Sequence, residues 1–125
     1  MQTHSHRVGD KEYFWNVEKL FPLAAQLPRH RVKINQIPNL NGDLWFQGIG
    51  GTPIPSIIGV ANHIKRMQKA DLSYPIILSK DGRHLVDGGH RVLKAIVEGH
   101  DEIEAVYMDL PDPDRVVEHG YGSNK

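Results

Sequence analysis

The chain has no cysteine. That removes disulfides, thiolate nucleophiles and thiolate metal ligands from consideration. It has no long apolar run of the kind that spans a bilayer, about 18 residues or more. Its opening, MQTHSHRVGD, lacks an apolar core, so a secretory signal is not expected and a cytoplasmic location is. No charge sign dominates: 15 Lys/Arg balance 15 Asp/Glu. A protein that wraps duplex nucleic acid is usually more basic than this.

What is present fits one small domain: 125 residues, 39% of them hydrophobic, enough for a single core. The charge is unevenly spread. From Arg29 to Lys94 there are ten Lys/Arg and four acids; from Ala95 onward there are eight acids and two bases. A mixed solvated surface accounts for this, and so does an anion site in the middle of the chain.

Residues 1–9 read as a loose arm, 10–110 as the domain and 111–125 as an acidic tail, with a short helix expected around Arg115 to His119. DKEYFWNVEKLF reads as a helix capped by Asp10, with Phe14, Val17 and Phe21 at helical spacing. RVKINQI alternates as a strand. Residues 38–55 form a long loop rich in glycine and proline. Ser56 caps the next helix, whose expected buried stripe is Ile57, Ala61, Ile64 and Met67, with Asn62, Lys65, Arg66 and Lys69 outward. YPIILS and RHLVD form a hairpin across KDG, and a helix from His90 to Glu98 stops at Gly99. EIEAVYM is the last strand. The fold class is α+β: a small mixed sheet with flanking helices.

The chemistry concentrates at LVDGGHRVLKAIVEG, Leu85 to Gly99. A helix N-terminus exposes unpaired N–H groups and carries partial positive charge, so His90 and Arg91 in the first turn are locally disfavoured. A bound anion resolves the conflict: the amides, the guanidinium and a donating or protonated imidazole would converge on phosphate. Gly88 and Gly89 would let the backbone approach it closely. Asp87 could cap the helix, hold Arg91 or help bind a metal that accompanies the phosphates. The bland alternative is ordinary Asp-Gly-Gly turn chemistry with a solvated first turn. The Gly-Lys-Ser/Thr ending of a P-loop is missing.

YPIILSKDGRHLVDGGHRVLKAIVEGHDEIEAVYM, Tyr74 to Met108, resembles the core of the ParB/sulfiredoxin superfamily. Pro-Ile precedes a strand, a hairpin leads to a Gly-x-His-Arg box opening a helix, and a Val-containing strand follows. The resemblance implies a nucleotide-phosphate pocket at the box. Sulfiredoxins carry Gly-Gly-Cys-His-Arg there; Gly89 stands in the cysteine's place, which excludes thiol-dependent sulfinic acid reduction. Free serine kinases of the superfamily carry Asp-Gly-His-His-Arg; this chain keeps Asp87, Gly88, His90 and Arg91 and has Gly89 for the first histidine. ParB carries Gly-Glu-Arg-Arg and binds CTP; the glutamate is missing here, and site-specific DNA reading through a ParB-type helix-turn-helix is not expected.

The expectation is therefore a domain that binds ATP or CTP with Mg²⁺, with Gly88, Gly89, His90, Arg91, Lys65 and Arg66 holding the nucleotide. If it is an enzyme, it is a phosphotransferase or nucleotide hydrolase in which His90 and Asp87 act. Glu18 is a candidate base for the acceptor. The alternative is a non-catalytic adaptor in a DNA-maintenance or plasmid-partition system, sensing nucleotide or contacting a nucleic-acid backbone or a protein partner. No protein metal site is expected: His84, Asp87 and His90 are spaced by three but lie on a strand end and a turn, and His4 and His6 read as adventitious ligands. His63 reads as a packed histidine, and Trp15 as packing. Trp45, Phe46, Asp43 and the Gly48–Thr52 cluster are weaker candidates in the long loop.

Overall fold

The computed structural model describes residues 3–38, 40–41 and 56–119. Two sheets carry the fold, and it is α+β as expected. The larger sheet is mixed, in the order β3-β6-β4-β5. It is built from β3 (His30–Lys33), β4 (Ile76–Ser79), β5 (Leu85–Asp87) and β6 (Glu102–Met108). β4 runs parallel to β6, while β5 and β3 are antiparallel to their neighbours. All four residues of β4 are buried, the mark of a central strand covered on both faces.

Alternation along these strands divides the core in two. Ile76 and Leu78 of β4 join Ile103 and Ala105 of β6 on one face, under Val92 and Ala95 of α3 (Gly89–Val97). Ile77, Val106 and Met108 point to the other face and meet Trp15, Leu20 and Ala24. Those last three come from the chain's first third. It forms β1 (Thr3–Val8), β2 (Lys11–Asn16), a 3-10 turn over 17–20 and the short helix α1 (Phe21–Ala24).

The first third departs from the helical expectation. KEYFWN is a strand, paired with β1 on one side and with β7 (Arg115–Glu118) on the other. The spacing of Phe14, Val17 and Phe21 fits a helix, but consecutive Tyr13, Phe14 and Trp15 suit a pleated surface packed on both faces. Residues 3–8, read as a loose arm, are an edge strand, and the acidic tail contributes β7 in place of the expected helix. Side chains tie this segment down. Trp15 Nε1 donates to the Pro111 carbonyl at 2.8 Å, the Asn16 N–H donates to Asp114 Oδ2 at 2.6 Å, and His119 Nε2 lies 2.9 Å from Glu12 Oε1.

Helix α2 (Ile57–Lys69) starts as expected, with Ser56 Oγ accepting from the Gly59 N–H at 2.9 Å. Its orientation is not as expected. Gly59 and His63 are its buried residues, and Ile57, Ile58 and Ile64 are exposed. The helix packs on α3, outside the layer that covers the sheet, so its small and polar side meets the protein. Lys94 of α3 joins the two helices by donating to the Ala70 carbonyl at 2.7 Å at the end of α2, where a cation also complements the helix dipole. In α3 the buried residues are Val92 and Ala95, while Ile96 and Val97 are exposed. Gly99, at φ +83°, ends α3. Its N–H bonds the Ile96 carbonyl and the His100 N–H bonds the Ala95 carbonyl, the paired bonds of a Schellman stop.

Candidate functional site

The hairpin delivers the Asp-Gly-Gly-His-Arg box to the first turn of α3. β5 runs back along β4, placing Asp87 opposite Ile77. The helix therefore starts beside Pro75 and Ile76, at the entry end of β4. Gly88 makes the junction. Its φ is +113°, and a Cβ built on it would stand 2.5 Å from Ile76 Cγ2 and 3.1 Å from Arg91 Nη1. The sequence suggested that this glycine admits a ligand. The structure gives it a different duty: it admits Ile76 in a left-handed conformation closed to other residues.

Arg91 also differs from expectation. Its Nη1 donates to the Pro75 carbonyl at 3.0 Å, and its Nη2 reaches Asp87 Oδ2 at 3.4 Å. Both side chains are largely buried, 19% and 10% exposed. Burial pushes the Asp87 carboxyl up, and the Arg91 guanidinium with the Gly88 N–H opposes the shift. Asp87 and Arg91 thus form an internal brace from β5 to the lead-in of β4.

His90 meets a partner that sequence reasoning set aside. His63 Nδ1 lies 2.9 Å from His90 Nε2, and the rings stack with centroids 5.1 Å apart. One ring must donate and the other accept, so at least one nitrogen of this contact is unprotonated. Burial, His63 and Arg66 together lower the His90 pKa from 6.5 to about 4. Burial and Arg66 also lower that of His63. His90 is therefore neutral near pH 7. It can donate or accept a hydrogen bond but cannot supply the charge of an imidazolium.

The charge of Arg66, on α2, lowers the pKa of both rings. Lys65 and Lys69 lie on exposed positions of the same helix. The residue that opens α3 is Gly88, which has no side chain to cap the helix. Glu18 is exposed at the start of the 17–20 turn, where its N–H bonds Asn16 Oδ1. Asp43, Trp45, Phe46 and Gly48–Thr52 lie outside the described residues. Among the described residues no group of three His, Asp or Glu is arranged to hold a metal, and no helix is long and apolar enough to cross a membrane.

The chain is similar to a ParB-N domain. The solved structure of a Pnob8-like ParB-N domain matches it with 19% identity and a TM-score of 0.42, over 69% of this chain and 31% of that one. The chain thus spans about a third of the length of the protein it matches. No protein-family model matches it, and no curated protein does.

The signal for His63 was weak but present. It falls between Ile57-side apolar residues and the basic Lys65-Arg66 pair, one residue off the stripe expected to be buried. Once α2 turns its other side inward, that residue becomes the inward one.

Proposed function

We propose that the start of α3 is a phosphate-binding corner for a nucleotide, framed by the amides of Gly89 and its neighbours, the neutral His90 imidazole and the Arg66 guanidinium. The observation that carries this reading is a nine-residue helix that opens on Gly88 and Gly89 and whose first-turn His90 feels the charge of Arg66 from α2. Helix amides and a guanidinium together suit phosphate oxygens. Lys65, exposed on α2 beside Arg66, would add a second positive charge for a polyphosphate tail.

The roles differ from the simplest sequence reading. Asp87 and Arg91 shape the corner from within and do not touch the nucleotide. Asp87 is already engaged by Arg91 and the Gly88 N–H, so it does not fit a direct Mg²⁺ ligand; Mg²⁺ would travel with the phosphates of ATP or CTP. His90 supplies a hydrogen bond, with His63 fixing which nitrogen carries the proton. The chemistry that follows binding, if phosphoryl transfer or hydrolysis, needs a base that the described residues do not place at the corner.

A second reading is carried by α2 itself. Lys65, Arg66 and Lys69 are exposed on a helix without an acidic residue, which suits contact with a nucleic-acid backbone in a DNA-maintenance adaptor. Thermal shift with ATP, ADP and CTP, with and without Mg²⁺, separates the two when run beside a salt-dependent DNA mobility shift. Nucleotide stabilisation that Arg66→Ala abolishes supports the phosphate corner. DNA binding without nucleotide stabilisation supports the adaptor. Phosphate release during the nucleotide assay distinguishes an enzyme from a sensor.

A further inference from the structure

At the far end of β4 from the box, three histidines distant in sequence meet. His4 and His6 project from one face of β1, and His84 stands just before β5. The His6 ring meets the His84 ring edge-on with centroids 4.2 Å apart, and His4 lies 6.4 Å from His84. His4 also lies against Trp15, at 5.6 Å. His6, Trp15, Asp81, His84 and Asp109 help to line an open cleft of ≈ 420 Å³. The His4 Nε2 is shut away from solvent with no hydrogen-bond partner. A proton placed there would be a buried donor without an acceptor.

β1 is held by a backbone ladder to β2 that pairs all six of its residues, and by this cluster. It is an edge strand bonded to β2 alone, and its side chains are exposed or half-buried throughout. An element with so little buried surface opens locally at low cost. We propose that the His4–His6–His84 cluster is a proton-operated latch, holding β1 against the body near neutral pH and releasing it on acidification while the mixed sheet stays folded. Release would bare the edge of β2 and uncover Trp15.

The charges around the cluster favour this. Burial, then His84 and His6, bring the His4 pKa from 6.5 down to about 4. Burial and His6 also lower that of His84, with Arg83 adding to the shift and Asp81 opposing it. Asp81 is itself held by the Ser79 hydroxyl and the Arg83 N–H, and Lys80 pairs with Asp109 on the cleft rim. A released β1 carries His4 at its ordinary pKa and takes up a proton there that the attached strand refuses. The open form therefore gains as pH falls from 6.5 towards 4, by about tenfold per unit of pKa depression.

Site-resolved hydrogen exchange, expressed as protection factors to remove intrinsic pH dependence, tests the latch on the full chain. Between pH 7 and pH 4.5, protection of amides 4–8 is expected to fall at least about tenfold relative to amides of β6. In His4→Phe, which keeps a ring on Trp15 without a titrating nitrogen, the fall is expected to shrink. Should that variant not fold, His4→Gln serves the same purpose by removing the titrating ring. The proposal is overturned if wild-type β1 keeps its protection at pH 4.5, if β1 and β6 lose protection together, or if the folded variant repeats the wild-type drop. The pKa values of His63 and His90 are also lowered, but these residues sit on α2 and α3 and do not confuse a reading taken at β1.

Discussion

The Arg91 guanidinium bridges the Pro75 carbonyl, at 3.0 Å, and the Asp87 carboxylate, at 3.4 Å, across the start of α3. A cation in the first turn of a helix, unfavourable when exposed, becomes useful when it closes a hairpin-to-helix corner from inside. Arg91→Ala leaves Asp87 largely buried without its partner. The expected cost is about 2–3 kcal/mol in chemical denaturation. Arg91→Ala as stable as the wild type would mean that the brace contributes nothing.

Gly88 is fixed by sterics. Gly88→Ala must hold φ near +113° and fit a methyl group 2.5 Å from Ile76 Cγ2. The expected loss is about 2 kcal/mol or more. Gly99→Ala is the control: φ is +83° and nothing lies within 4 Å of the built Cβ. It should cost only about 1 kcal/mol. Equal losses at the two positions would remove the argument for close packing on Ile76.

Trp15→Phe keeps an aromatic ring in the second core and deletes one hydrogen bond, from Nε1 to the Pro111 carbonyl at 2.8 Å. A loss of about 1 kcal/mol is expected, with amides of β7 exchanging faster because residues 111–114 lose an anchor. Unchanged β7 exchange would show that this bond does not hold the last strand.

Acid should weaken the α2–α3 contact. The His90 pKa is lowered from 6.5 to about 4, so the folded chain binds fewer protons than the unfolded chain between those values. Stability is fully present above pH 6.5 and falls as pH drops towards 4. His63→Gln combined with His90→Gln should flatten that slope, as read from denaturation midpoints at pH 7 and pH 5. An unchanged slope would place the acid sensitivity elsewhere.

Much of the second half of the chain was legible because local signals agree with one another there. Ser56 caps α2, Asp81-Gly82 turns the hairpin, and the stretch from β4 through α3 to β6 follows the expected order. The first half was misread where two periods overlap. Phe14, Val17 and Phe21 keep helical spacing, yet the chain buries Phe14 and Trp15 on a strand. THSHRV offered one aliphatic residue and gave no strand signal, because an edge strand with exposed side chains requires none. The α2 stripe was read from periodicity, which measures how polar and apolar residues segregate but not which side meets the protein. At the box, residue types pointed to the corner where the hairpin becomes α3 but not to the contacts inside it. The brace of Asp87 and Arg91, and the meeting of His63 with His90, depend on contacts between elements that no local pattern encodes.

The central claim is that the start of α3 receives phosphate. An amide-resolved NMR titration of the full chain with ATP and Mg²⁺, and separately with CTP and Mg²⁺, tests it most directly. The account predicts saturable shifts centred on Gly89, His90 and Arg66, lost in Arg66→Ala while the rest of the spectrum stays native. No shift at those amides with either nucleotide, or saturable shifts confined to another surface, would contradict it.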